Sequence, residues 1–138
     1  MIDKFNGIIY LIIFLVHFGA YAVYAFRCLF TTKKFVDQYG MGDGAAIMTR
    51  FFGSIFVGSV LMAIYVGFIR TGGLENTWAF FNLIFLQNAA AFIFAIWSHK
   101  KGNLGTNDKT SVEGIIAPGI LTVLSAVLCY GLSDKIYI

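Results

Sequence analysis

Four apolar stretches, each long enough to cross a lipid bilayer as a helix, constrain the fold of this chain more than any other feature. They span residues 8–26, 46–69, 78–97 and 115–132, and none of them contains Asp or Glu. A hydrocarbon core of ~30 Å requires ~20 apolar residues at a helical rise of ~1.5 Å. Their one basic residue, Arg50, lies in the first turns of its stretch, where a long side chain reaches the interface. The sequence therefore predicts an all-α, polytopic membrane protein, with a single domain over residues 1–138 built as a four-transmembrane-helix bundle.

The composition fits a chain whose main solvent is lipid. Hydrophobic residues make up 59% of it and charged residues 12%, whereas soluble domains average about 45–50% apolar and about 25% charged. Trp78 and Trp97 bracket the third stretch, as aromatic anchors at the two membrane interfaces do. Residues 30–39 mix Phe, Val and Tyr with Lys, Thr and Asp, which predicts a short amphipathic segment in the headgroup region.

The basic residues are unevenly divided between the two ends of the predicted bundle. Seven of the ten lie in the connections 27–45 and 98–114 or at the entry to the second stretch, and three lie at the opposite end. Positively charged loops stay on the cytoplasmic side of a membrane. We therefore expect an integral protein of a bacterial inner membrane, with these two connections in the cytoplasm and both termini extracytoplasmic.

Polar side chains recur near the middle of the predicted helices, where lipid offers no hydrogen-bond partner. His17 and Tyr21 share one face of the first helix, Gln87 and Asn88 lie at the midpoint of the third, and Ser125 lies at a similar depth in the fourth. An unpaired polar group in hydrocarbon costs several kcal/mol. We therefore expect these five residues, the midplane cluster, to point inward, with a hydrogen bond from His17 to Gln87 or Asn88. Such a cluster either binds a ligand or holds the helices together.

Arg50 needs an acidic partner at the cytoplasmic mouth of the bundle. Asp37 and Asp43 lie in the connection that leads into its helix. We expect an ion pair between Arg50 and one of these two carboxylates.

Two further patterns predict local contacts. Ser54 and Gly58 form a small-xxx-small pair, which permits two membrane helices to approach closely. Thr110 and Glu113 have the spacing of a capping box at the start of the fourth helix.

Several kinds of chemistry lack their residues in this sequence. No acidic residue lies inside a span to help hold zinc or a di-iron centre, and a bundle haem with two axial histidines would need His99, which lies near the headgroups. P-loop, GxSxG and CxxC motifs are missing. We therefore predict no metal and no cofactor. The net charge of +3 is accounted for by anionic lipid headgroups, so nucleic acid is not an expected partner.

The connection between the first two helices resembles the corresponding segment of small DoxX-like four-helix membrane proteins. The resemblance rests on Phe35-Val-Asp-Gln-Tyr-Gly40, then Asp43-Gly-Ala-Ala and Arg50-Phe-Phe-Gly53, and covers residues 30–65 by motif. In that family an aromatic segment ending in Tyr-Gly or Phe-Gly precedes an Arg-x-x-Gly that opens the second helix. The resemblance implies a compact four-helix fold and a role as an accessory subunit, since some members accompany oxidoreductases or act as scaffolds for membrane enzymes.

Three functions are compatible with these features. The first is a non-catalytic accessory or scaffold subunit, whose aromatic outer faces contact membrane lipids and other membrane-protein subunits or copies of itself. The alternative is binding or transport of a lipid, a quinone or another small hydrophobic molecule in a polar midplane pocket lined by the midplane cluster. The third, an enzyme with His17 as base, has the fewest residues to support it.

Overall fold

The computed structural model describes residues 2–102 and 105–138, and its secondary structure there is helical throughout. In chain order the α-helices are α1 (Ile8–Phe30), α2 (Thr32–Gln38), α3 (Ala46–Ile64), α4 (Trp78–Lys101), α5 (Glu113–Gly131) and α6 (Ser133–Ile136). The four long ones are long and apolar enough to cross a membrane. The predicted all-α fold with four membrane-spanning helices is confirmed.

Two of the long helices, α1 and α4, extend four residues past their apolar stretches into what would be the interface. α1 continues to Phe30 and α4 to Lys101. Gly102, with a φ of 59°, then ends α4 in the left-handed conformation that glycine adopts without strain. A 3₁₀ turn over Asp43–Ala45 leads into α3, and a π turn over Tyr65–Ile69 prolongs it. Backbone groups near lipid need partners, so the helices continue until polar side chains or water can replace the helical hydrogen bonds.

α1 packs lengthwise against α3, and it also contacts α5, which in turn packs lengthwise against α4. Two glycines mark the closest approaches. A Cβ atom on Gly53 would lie 2.9 Å from Cβ of Cys28, and one on Gly119 would lie 2.9 Å from the Phe92 ring. The helices therefore follow one another in the spatial order α3, α1, α5, α4.

The predicted close contact through Ser54 and Gly58 is wrong. Both residues are exposed, and a Cβ atom on Gly58 would have no neighbour within 4 Å. The glycine one position before Ser54, Gly53, makes the contact with α1 instead. Adjacent positions on a helix point about 100° apart, so the small-residue pair faces outward, where lipid would lie.

Both chain termini and the connection 70–77 lie at the same end of the bundle, here called the terminal end. Asn6 donates a hydrogen bond to the carbonyl of Gly131 at 3.0 Å, and the backbone N–H of Asn76 donates to the carbonyl of Ile138 at 2.8 Å. The side chain of Phe5 is fully buried there. The connections on either side of α2 and before α5 lie at the opposite end, the loop end.

The terminal half of the bundle is filled by aromatic side chains. The Phe14 ring contacts the rings of Phe5, Phe18 and Phe81 at centroid distances of 4.9, 4.8 and 6.2 Å. These distances lie within the range of about 4.5–7 Å in which aromatic rings attract one another. The dense core lies at this end, and the loop half of the bundle is packed differently.

The predicted amphipathic segment 30–39 contains the short helix α2. Val36 is fully buried beneath it, while Lys33 and Lys34 are exposed on its other face. The hydroxyl of Thr32 donates to the carbonyl of Cys28 at 2.7 Å and so connects α2 to the end of α1. α2 thus has the two unlike faces that an interfacial helix requires.

Candidate functional site

The carboxamide of Asn88 joins α4 to α1 and α5 in the interior of the bundle. Its Oδ1 accepts a hydrogen bond from the Tyr21 hydroxyl at 2.8 Å, and its Nδ2 lies 3.0 Å from Nε2 of His17. The Leu121 carbonyl and the Ser125 hydroxyl each lie 3.4 Å from the same Nδ2. All five residues are buried. The hydrogen bond expected between His17 and the third membrane helix is present, and Asn88 is the partner.

The two oxygens on α5 fix the orientation of the Asn88 amide. The Ser125 hydroxyl donates its proton to the Leu121 carbonyl at 2.7 Å, so towards Asn88 it can only accept. If the amide were turned over, its oxygen would face these two acceptors, and only His17 Nε2 could donate to it. Nδ2 therefore points to α5 and His17, while Oδ1 points to Tyr21.

This orientation also assigns the proton on the His17 ring. Because Asn88 donates to Nε2, the neutral imidazole must carry its proton on Nδ1. Nδ1 is buried and has no hydrogen-bond partner among the described residues. A buried polar atom without a partner is destabilising. The contacts that hold the His17 ring in place are therefore the hydrogen bond from Asn88 and the packing against the Phe18 ring, whose centroid lies 4.7 Å away.

A cavity of about 570 Å³ lies beside Asn88, in the loop half of the bundle. Residues of α3 and α4 line its sides, and residues of α1 and α5 line its back. Its walls are mainly apolar: Met48, Phe52, Ile55, Phe56, Ala90, Ala91, Ala117 and Pro118. Phe52 is 55% exposed and Ile55 41% exposed at its edge. The cavity therefore opens sideways onto the surface that lipid tails would cover.

Glu113 organises a polar network at the loop end of the cavity. Its carboxylate accepts hydrogen bonds of 2.5 Å each from the Tyr24 hydroxyl, Arg27 and Gln38. Arg27 also donates to the Gln38 side-chain oxygen at 2.6 Å, and its guanidinium lies over the Tyr24 and Phe35 rings, 5.2 Å from each centroid. This mouth network, Tyr24, Arg27, Gln38 and Glu113, joins α1, α2 and α5. One cation balances one anion, so it presents no net charge.

Pro118 alters the backbone of α5 where that helix lines the cavity. Proline has no N–H, so the Gly114 carbonyl one turn earlier loses its helical donor. Gly114 and Pro118 both line the cavity. The wall formed by α5 therefore includes a backbone carbonyl that lacks its usual donor four residues later.

The predicted midplane cluster divides into a hydrogen-bonded part and one separate residue. Tyr21 and Asn88 line the cavity, whereas His17 and Ser125 lie behind Asn88 and do not line it. Gln87 lines the cavity with an exposed side chain and is not bonded to the other four. Adjacent residues on a helix point about 100° apart, so Gln87 and Asn88 cannot share the same partners.

The predicted ion pair of Arg50 with Asp37 or Asp43 is wrong. Lys33 pairs with both acids, with its Nζ 2.9 Å from Asp37 and 2.7 Å from Asp43. Arg50 instead points Nε at the Thr32 hydroxyl, 3.4 Å away. Lys33 and Asp37 are four residues apart on α2 and so lie on one face. Hydrogen bonds to Asp43 and Asp37 raise the pKa of the Lys33 ammonium above its ordinary value.

The capping box predicted at Thr110 and Glu113 is also wrong. α5 begins after Val112, and the Glu113 backbone N–H donates to the Ser111 hydroxyl at 3.2 Å rather than to Thr110. The Thr110 hydroxyl accepts a hydrogen bond from the Asn107 backbone instead. The Glu113 carboxylate is directed into the mouth network, because that position offers it a guanidinium, which binds a carboxylate more strongly than a neutral backbone N–H does.

Sequence reasoning did not assign Tyr24, Arg27 or Glu113 to the site. Two signals pointed to them: Tyr24 follows Tyr21 by three residues on the same face of α1, and Glu113 is an acid immediately before an apolar stretch. Glu113 follows Tyr24 by 89 residues and Arg27 by 86 residues in the sequence. Only the tertiary structure brings them together.

Comparison with known protein families, with curated proteins and with solved structures finds no match to this chain. In the described part of the chain, no three His, Cys, Asp or Glu side chains are grouped as the ligands of a metal ion would be. The function must therefore be argued from the cavity and the side chains that line it.

Proposed function

We propose that the protein binds a lipid-soluble small molecule in the cavity between α3 and α4. The size of this cavity, about 570 Å³, carries the proposal. Small-molecule sites measure about 300–1,000 Å³ and combine apolar walls with a few placed polar groups. Here the walls are mainly apolar, and Tyr21, Gln87 and Asn88 supply polar groups near the midplane, with Thr49 and Ser59 on α3. A helix interface packed as densely as a protein interior would contain no such space.

The lateral opening supports entry of the ligand from the membrane. Phe52 and Ile55 are partly exposed at the edge of the cavity, on the side of the bundle that faces lipid. A lipid-soluble molecule is already concentrated in that medium and need not cross water to reach the site. The ligand would insert between α3 and α4, with its apolar part against the Phe56 ring.

Binding, rather than catalysis, is the activity that these side chains support. The Asn88 amide cannot act as a general acid or base, and it separates the cavity from the imidazole of His17. His17 and Ser125 hold Asn88 in one orientation. We assign these two a positioning role and place the ligand contacts on Tyr21, Gln87 and Asn88.

The accessory-subunit hypothesis and the DoxX-like resemblance remain predictions from the sequence. Exposed apolar side chains on the outer faces, such as Phe51 and Ile47, suit lipid and a partner subunit equally. We place the protein in a bacterial inner membrane, and the charge distribution supports an orientation with the loop end and its mouth network in the cytoplasm and the termini extracytoplasmic.

A cavity-filling substitution tests the proposal. Ala91 on α4 lines the cavity, whereas Ala79 on the same helix is exposed and does not line it. Ala91→Phe adds a ring inside the cavity, and Ala79→Phe adds the same ring outside it. Native mass spectrometry of protein purified in mild detergent should show a bound lipid-soluble adduct on the wild type and on Ala79→Phe, and much less on Ala91→Phe.

Two results would contradict the proposal. If the wild type carries no adduct after incubation with a total membrane lipid extract, the cavity is not a binding site. If all three proteins carry the same adducts in equal amounts, the molecules bind elsewhere on the bundle.

A further inference from the structure

The polar groups that line the cavity differ in what they leave free for a ligand, and this difference indicates the chemistry of its head group. The Tyr21 hydroxyl donates its one proton to Asn88, and the Asn88 Nδ2 protons are directed at His17 and at the acceptors of α5. What remains at this point is one lone pair on the Tyr21 oxygen and one on Asn88 Oδ1. Both are acceptors.

The other polar groups that line the cavity include further acceptors and, at Thr49 and Gln87, groups that can both donate and accept. The Ser59 hydroxyl donates to the Ile55 carbonyl and so can only accept from a ligand. The pair of Tyr21 and Asn88 is thus the polar point next to the midplane where a donor is required. The Gly114 carbonyl, freed by Pro118, is a further acceptor. Gln87 carries an exposed carboxamide, which can donate as well as accept. Gln87 therefore suits either a donor or an acceptor elsewhere on the ligand, whereas the pair formed by Tyr21 and Asn88 suits a donor alone.

The charges around the cavity also limit which ligand head groups can bind in it. Glu113 is the one charged residue among those that line the cavity in the described chain, and Arg27 balances it at 2.5 Å. No cation is left to hold a carboxylate or phosphate deep in the cavity, where an unpaired charge is strongly disfavoured. An ionic head group is thus excluded from the midplane part of the site.

We propose that the cavity selects an uncharged lipid bearing a hydroxyl group, with that hydroxyl donating to the acceptor pair Tyr21 Oη and Asn88 Oδ1. This inference rests on the proposed function and adds the ligand class to it. In hydrocarbon a hydroxyl finds no other partner, so even one such bond discriminates. Hydrogen bonds between groups in membranes contribute about 0.6–1.7 kcal/mol, which corresponds to a preference of roughly three- to twentyfold.

A competition between two matched probes tests the preference. 1-Hexadecanol and its methyl ether share one alkyl chain and differ in mass by one methylene, but only the alcohol donates a hydrogen bond. The purified protein is incubated with both in equal amounts, and native mass spectrometry gives the ratio of the two adducts. The wild type should carry about three to twenty times more alcohol than ether.

Variants of the two asparagines on α4 locate the discrimination. Asn88→Leu removes one acceptor and frees the Tyr21 proton to donate to the ether, so the ratio should fall to about one. Asn82→Leu makes the same change outside the cavity, where Asn82 accepts from Tyr137 at 3.0 Å, and it should keep the wild-type ratio. The ratio of alcohol to ether on the wild type tests the hydroxyl preference even if Asn88→Leu fails to fold.

The results that would contradict the hydroxyl preference differ from those that would contradict the binding function. A wild-type ratio near one, with both adducts lost in Ala91→Phe, would overturn the hydroxyl preference and leave the binding function in place. No adduct of either probe on the wild type would overturn both. A ratio that Asn88→Leu leaves unchanged would place the discriminating group elsewhere and contradict the assignment to Tyr21 and Asn88.

Discussion

Replacement of Asn88 by Leu should be the most destabilising polar-to-apolar change in the membrane-spanning part of the protein. The substitution removes the bonds to Tyr21 at 2.8 Å and to His17 at 3.0 Å. Two such bonds contribute roughly 1–3 kcal/mol in a membrane protein. His17 Nε2 would then lose the Asn88 donor, and Nδ1 already has no partner among the described residues. With that cost included, we expect a loss of about 2–4 kcal/mol.

The assay is unfolding of the purified protein in mixed micelles with an increasing fraction of sodium dodecyl sulfate, followed by far-ultraviolet circular dichroism. Asn82→Leu is the matched control, because Asn82 lies on the same helix and accepts one bond, from the exposed Tyr137. It should cost less than about 1 kcal/mol. If Asn88→Leu is no less stable than Asn82→Leu, the three-helix connection through Asn88 does not hold the bundle together and the reasoning fails.

Three further changes test the packing and the polar networks by the same unfolding assay. Gly53→Leu should destabilise the protein by about 1–3 kcal/mol, because a Cβ atom there would lie 2.9 Å from Cβ of Cys28. Gly58→Leu is the control and should not destabilise the protein, because a Cβ atom at Gly58 has no neighbour within 4 Å. Equal losses in the two variants would mean that α3 presents a different face to α1. Glu113→Ala should cost about 1–2 kcal/mol, since three donors lose a carboxylate that is 32% exposed. Wild-type stability would show that the mouth network is not formed. Lys33→Ala, which breaks only exposed ion pairs, should change stability by no measurable amount, and a clear loss would show that the pairs are buried in the membrane-bound protein.

The membrane-spanning helices could be predicted because their signal is local. An apolar stretch such as 78–97 has to become a helix in lipid, whatever surrounds it. The depth of a residue along such a helix can then be read by counting, and this is why His17 and Asn88 could be matched across 71 residues. The choice between Gln87 and Asn88 could not be made, because it depends on the rotation of α4 about its axis.

The errors concern which face a helix presents and how far a side chain reaches. Ser54 and Gly58 form a sound small-residue pattern, but α3 is turned so that Gly53 meets α1. The sequence favours a pairing of Arg50 with the acids nearest to it, whereas Lys33 reaches Asp37 one turn along α2 and Asp43 in the connection that follows α2. Each outcome follows from packing between elements, which the local pattern does not contain.

The cavity itself has no signal in the sequence. It exists because α3 and α4 are separated by α1 and α5 in the spatial order of the bundle, and because small residues such as Ala91 and Ala117 line it. A shortage of side-chain volume between two helices can be seen only once those helices are placed. The sequence could predict polar groups at the midplane, and the structure adds the space beside them.

The most direct measurement of the central claim is a crystal structure grown from a lipid mesophase. We expect elongated density between α3 and α4, with one end within hydrogen-bond distance of the Tyr21 hydroxyl or of Asn88 Oδ1 and the remainder against Phe56. A structure in which α3 packs directly on α4, with no space and no density beside Asn88, would contradict the claim that this protein holds a lipid-soluble molecule in its loop half.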